Sequence, residues 1–108
     1  MKGFIGEFEE LVLLTIASLR DDAYGVAIKE DIETRANRAI SIGSLHSTLT
    51  RLEEKGFVGS KLGEPTKERG GRRKRFFELT STGEAALVKI KSLRDELWAS
   101  TSLKLAKE

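Results

Sequence analysis

Cysteine is absent from this chain of 108 residues, which excludes disulfides and thiolate metal sites. Histidine occurs once, as His46, so imidazoles alone cannot build a metal cluster, and neither a metal nor another cofactor is expected. No stretch approaches the roughly 20 apolar residues of a membrane span, and the start, Met1-Lys2-Gly3-Phe4, lacks the apolar run of a secretory signal. A soluble, cytoplasmic protein is the expectation. Catalytic machinery is also missing: no nucleophile and base can be paired, His46 has no identifiable acidic partner, and Gly70-Gly71 is not a phosphate loop following a strand. The chain therefore does not read as an enzyme. Its length supports one core and not two, so any separate sensory domain must be missing or built by association.

Charge is plentiful but nearly balanced, with 33% of residues charged and a net value of +2. Its distribution is uneven. Met1 to Asn37 holds 4 basic and 8 acidic residues, Arg38 to Arg75 holds 10 and 4, and Phe76 to Glu108 holds 5 of each. A basic middle third on an otherwise neutral domain is the footprint of a nucleic-acid contact surface.

The apolar pattern predicts four helices and a hairpin. From Glu7 to Leu19 apolar residues occupy almost every side of a helix, so that helix is expected to be buried all round, with one face on a partner subunit or on the C-terminal helix. Asp21-Asp22 offers a turn and an N-cap for a second helix from about Tyr24 to Ala36. Ser41 caps a third, which runs to Lys55 before Gly56 stops it and buries Leu45, Leu49 and Leu52. Phe57 to Leu62 and Arg73 to Leu79 read as a hairpin joined by a polar loop that contains Pro65 and centres on Gly70-Gly71. A final helix, with capping-box spacing at Ser81 and Glu84, is expected to reach as far as Leu105. Its arc of Leu87, Ile90, Leu93, Leu97 and Trp98 is wider and longer than one small domain needs, which suggests dimerisation.

Three short helices followed by a two-stranded hairpin is the order of a winged helix-turn-helix: a mainly α (α+β) fold with a β-hairpin wing and, here, a long C-terminal dimerisation helix. We expect the winged-helix domain over residues 1–80 and the dimerisation helix over 81–108, as one structural unit. The outward face of the third helix collects short and hydroxylated residues, as close approach to a major groove requires. Ser44, Ser47, Thr50 and Arg51 are the candidate DNA contacts there. His46 sits at the flank, where partial burial with a local hydrogen bond outweighs a pH-sensing role, and its place on this helix adds it to the DNA-binding set. On the wing, Arg69, Arg72, Arg73, Lys74 and Arg75 lie beside flexible glycines and suit phosphates or a minor groove. Taken alone, such a run is more often solvated surface, and the Ser/Thr face beside it is what tips the reading. For the dimer interface the candidates are Phe8, Leu11, Leu87, Ile90, Leu93, Leu97 and Trp98. Trp98 has a second reading as a stacking surface for a planar hydrophobic ligand, with interface packing ahead of it. A winged-helix module that binds protein without sequence-specific DNA recognition is the alternative function.

Three stretches resemble the PadR family of bacterial regulators. Tyr24-Gly25-Val26-Ala27-Ile28 resembles its YGxxI opening of helix two. Ser41-Ile42-Gly43-Ser44-Leu45, with Leu49, Arg51-Leu52-Glu53 and Gly56, resembles its recognition helix, and Gly70 to Thr80, with Gly83, resembles its wing. The likeness runs from about Gly6 to Trp98. It implies a homodimeric repressor of double-stranded operator DNA, with dimerisation through the C-terminal helix and, in some members, release by small aromatic or drug-like compounds. The chain departs from the family at His46, where a tyrosine is usual, at Ser47, where a proline follows it, and at Phe76-Phe77, where the family has a tyrosine pair.

Overall fold

The apolar spacing of the first half yields three helices, α1 (Glu7–Leu19), α2 (Gly25–Ala36) and α3 (Ile42–Glu54), with a single 3-10 turn at Arg20–Asp22 between the first two. β1 (Val58–Pro65), β2 (Arg73–Leu79) and α4 (Ser81–Ala99) follow. These elements belong to a computed structural model that describes residues 5–65 and 73–104. Arg69, Gly70, Gly71, Arg72 and Leu105 lie outside the described residues. None of the described helices is long and apolar enough to cross a membrane. The architecture is a winged helix-turn-helix.

One core joins all the elements. Val12, Leu13 and Ile16 of α1 meet Ile28 and Ile32 of α2, Leu45, Leu49 and Leu52 of α3, Phe57, Val58 and Phe77 of the hairpin region, and Leu87 of α4. Each such side chain contributes about 2 kcal/mol on leaving water. The all-round burial expected of α1 is not met within one chain. Its neighbours leave Leu14 49% exposed, with Ala17 and Ser18 open beside it.

Local hydrogen bonds set the helix ends. Ser41 Oγ accepts the Ser44 N–H at 3.0 Å, as its sequence position predicts, and Gly56, at φ +80°, ends the turn after α3 with a backbone that L side chains rarely adopt. The turn from α2 to α3 is held by Glu33, whose carboxylate accepts the Ile40 N–H at 3.1 Å and the Lys29 ammonium. The Ile40 N–H and then Lys29 hold that carboxyl below its usual pKa. The cap of α2 is Tyr24 and not the Asp21-Asp22 pair, which the 3-10 turn takes up. Tyr24 is extended instead, and it and Ala23 meet β2: the Phe77 N–H donates to the Ala23 carbonyl at 2.8 Å and Tyr24 bridges Phe76. Their rings meet edge to face at 5.6 Å. This contact fastens the hairpin to the helix-turn-helix.

The two strands pair antiparallel from Val58↔Leu79 to Leu62↔Arg75, with an irregularity before Pro65↔Arg73. Pro65 thus ends a strand instead of lying in the loop, at a break in register that accommodates its missing N–H. α4 is capped by Thr80 and not Ser81: Thr80 Oγ1 accepts the Gly83 N–H at 3.0 Å and donates to the Gly56 carbonyl at 2.6 Å. The Phe57 carbonyl accepts the Thr80 N–H at 3.0 Å, and Gly83 rests so closely on that carbonyl that an added Cβ would collide with it. The helix ends at Ala99, short of Leu105. Ser100 Oγ donates to the Glu96 carbonyl at 2.9 Å and Thr101 Oγ1 to the Trp98 carbonyl at 2.9 Å, so these hydroxyls take up carbonyls at the last turn, where the helix stops.

Candidate nucleic-acid interface

A helix can present a polar face only where the opposite stripe is anchored. On α3, Leu45, Thr48, Leu49 and Leu52 are buried and hold the helix on the core. Ser44, His46, Ser47 and Thr50 all stand exposed on its outward half. The partial burial expected for His46 does not occur: β2 stands off from this flank and leaves an open groove beside it.

That groove, about 520 Å³ in volume, is where helix and wing base meet. Its lining includes Tyr24, Val26, His46, Thr50, Lys74 and Arg75, which come from three elements and their junctions. Each of the three basic residues of β2 is oriented by a partner. Arg73 Nε donates to the Gly63 carbonyl at 2.7 Å, the Lys74 ammonium lies 4.0 Å above the Tyr24 ring, and Arg75 Nη1 donates to Ser60 Oγ at 3.1 Å. Ser60 Oγ in turn donates to Glu53 at 2.7 Å, so the end of α3 is tied through a hydroxyl to β2. Arg69 and Arg72, the other two wing arginines of the sequence reading, fall outside the described residues.

Arg51 is placed differently from the rest. It is 53% exposed, yet its Nε donates to Glu9 Oε2 at 3.4 Å and its Nη2 to Thr48 Oγ1 at 3.2 Å. Glu9 is the residue that sequence reasoning missed. It is buried in the first turn of α1, where it accepts the Gly6 N–H at 2.9 Å and the Lys55 ammonium at 2.9 and 3.1 Å. Burial pushes its carboxyl up, but the Gly6 N–H, Lys55 and Arg51 together outweigh burial and hold it below the usual carboxylate range. A glutamate three residues after an N-cap position was the available signal, although it points only to Gly6.

The residues expected at a dimer seam divide into two groups. Leu87 is buried in the core of the single chain, and Phe8 and Ile90 pack partly against that core, while Leu11 is half-buried. Leu93, Leu97 and Trp98 are 54%, 57% and 50% exposed, on the part of α4 at and beyond its ion pair with α1, Arg94 Nη2 to Glu10 Oε1 at 2.8 Å.

A recognition helix with a free hydroxylated face, seated beside a basic hairpin in a winged helix-turn-helix, defines a DNA-binding transcription regulator. The chain belongs to the transcriptional regulator PadR-like family, whose model matches residues 13–89. Members of that family are transcription regulators and not enzymes. Among solved structures, a transcriptional regulator from Clostridium thermocellum is 27% identical, with a TM-score of 0.66 and 82% of each chain covered. A PadR-like transcription factor from Bacteroides fragilis is 23% identical, with a TM-score of 0.71, covering 86% of this chain and 84% of that one. A PadR-like transcriptional regulator from Bacillus cereus shares the fold at 17% identity, with a TM-score of 0.70 and coverage of 86% and 85%. Comparison with curated protein sequences finds no match.

Proposed function

We propose that the protein is a homodimeric repressor that sets two copies of α3 in successive major grooves of a double-stranded operator, with the wings on flanking phosphates or minor grooves. The observation that carries the reading is the shared groove: His46 and Thr50 of the recognition helix open onto the same space as Lys74 and Arg75 of the wing. In this division of labour Ser44, His46, Ser47 and Thr50 read bases, and Arg69, Arg72, Arg73, Lys74 and Arg75 position the backbone. The exposed Leu93, Leu97 and Trp98 support association through α4, because a patch of large apolar side chains is costly to leave in water. Trp98 also offers a face on which a small aromatic effector stacks at that seam to release the DNA.

Fluorescence anisotropy against the DNA flanking its own gene, at near-physiological salt, tests the reading. The expected result is binding that prefers one site over scrambled DNA by at least about a thousandfold. Equal affinity for both sequences, or none, rules it out and favours a protein-binding winged helix. Arg73→Ala is expected to flatten the salt slope of log affinity by about 0.9 per lost phosphate contact, with operator choice unchanged. Thr50→Ala is expected to reorder the operators instead.

A further inference from the structure

Arg51 is the one cation of the DNA-facing helix whose guanidinium is fixed by two different elements. Its side edge, formed by Nε and Nη2, is turned to the scaffold, with Glu9 of α1 at 3.4 Å and Thr48 of α3 at 3.2 Å. The rest of the fork is toward solvent, since the side chain remains 53% exposed. The two partners are themselves buried. Thr48 is 1% exposed, and Glu9 is 7% exposed with both carboxylate oxygens already taken by Lys55 and one by the Gly6 N–H. Lys55 lies closer to Glu9 than Arg51 does, so the buried carboxylate has a nearer counter-ion and the arginine is additional. A buried threonine hydroxyl that faces a charged donor also has a cost if the donor leaves, which favours the arginine staying in place.

We propose that Thr48 and Glu9 are positioning residues for Arg51: they hold the inner edge of its guanidinium so that the outer end meets a DNA phosphate in one fixed rotamer. Long basic side chains lose much rotamer freedom when immobilised, and a side chain already ordered in the free protein does not incur that loss again on binding. Arg51 thereby differs from a cation on a free stem, which reaches phosphate with the full ordering cost. The inference rests on the DNA-binding reading above, and its first test is independent of DNA.

In the free protein, the heteronuclear NOE of the Arg51 Nε–H should approach backbone values, while that of the exposed Arg20 stays low. Thr48→Val, which keeps volume and charge, should release Arg51 and lower its NOE to the Arg20 level. With the operator, Thr48→Val should weaken binding about three- to tenfold in the natural background and leave Arg51→Ala unaffected. Glu9→Gln read against Arg51→Ala should show the same dependence, which separates positioning from a general gain of one positive charge. A mobile Arg51 in the free wild-type protein, or equal losses with and without the arginine, overturns the proposal. If the wild-type protein is ordered at Arg51 but selects no DNA site, the functional reading fails and the ordering stands.

Discussion

The two halves of α4 carry the same helical pattern and meet different fates. In the first, Gly83, Ala86, Leu87 and Ile90 lie against the hairpin and α1, with Leu87 buried. In the second, Leu93, Leu97 and Trp98 continue the same arc into solvent. Arg94, paired with Glu10, marks the border between them. The Cα radius of gyration of 15.8 Å exceeds the roughly 13 Å of a compact domain of this length, in keeping with an element that extends beyond the core. Periodicity therefore reports that a face is to be covered, and tertiary length decides by what.

Substitutions along the helix test that division. Gly83→Val should do the greatest harm, since the new side chain must displace the Phe57 carbonyl on which both Thr80 and the helix start depend; a loss exceeding about 4 kcal/mol in urea unfolding is expected. Leu87→Ala, a cavity in the packed half, should cost about 3 kcal/mol by the same measurement. Leu97→Asp should leave the folding of one chain within about 0.5 kcal/mol of wild type and weaken the proposed dimer about a hundredfold in sedimentation equilibrium. A stable, unchanged oligomer in that variant would break the comparison.

Apolar packing of α4 binds no proton, whereas the hold of α1 on α3 does. Glu9→Gln should cost about 1–2 kcal/mol at neutral pH, through its bonds to Lys55, Arg51 and Gly6. Because the folded carboxyl titrates below the 4.5 of a free glutamate, this contribution is complete above about pH 4.5 and fades as pH falls through the lower folded value. Unfolding curves of both proteins from pH 7 to pH 3 should therefore converge on the acid side. The smallest change is expected for Arg94→Ala, about 0.5 kcal/mol or less, since the arginine side chain lies largely in water.

Much of this was legible in the residues. The cap at Ser41, the stop at Gly56 and the buried triplet of Leu45, Leu49 and Leu52 follow from spacing alone, and so does the free face opposite. What escaped depends on contacts distant in the chain. Glu9 meets Arg51 across 42 positions and Lys55 across 46, and no local pattern encodes such a pairing. The Asp21-Asp22 cap gave way to Tyr24 because bridging to Phe76 holds Tyr24 extended just before the helix. Ser81 gave way to Thr80 for the same kind of reason, since the hydroxyl one position earlier reaches the Gly56 carbonyl as well as the helix. Leu87 looked like its neighbours Leu93 and Leu97 on the helical wheel, and only the distance to Phe57 and α1 separates them.

Thr80 also fixes a mechanical relation between the two working ends of the molecule. One hydroxyl closes the exit of the recognition helix at Gly56 and opens α4 at Gly83, so the two helices share a rivet instead of a hinge. Swinging α4 about its start means breaking that joint or tearing Gly83 from the carbonyl beneath it. The angle between the two helices is thus set within each chain, and in a symmetric pair the spacing of the two reading heads would inherit it.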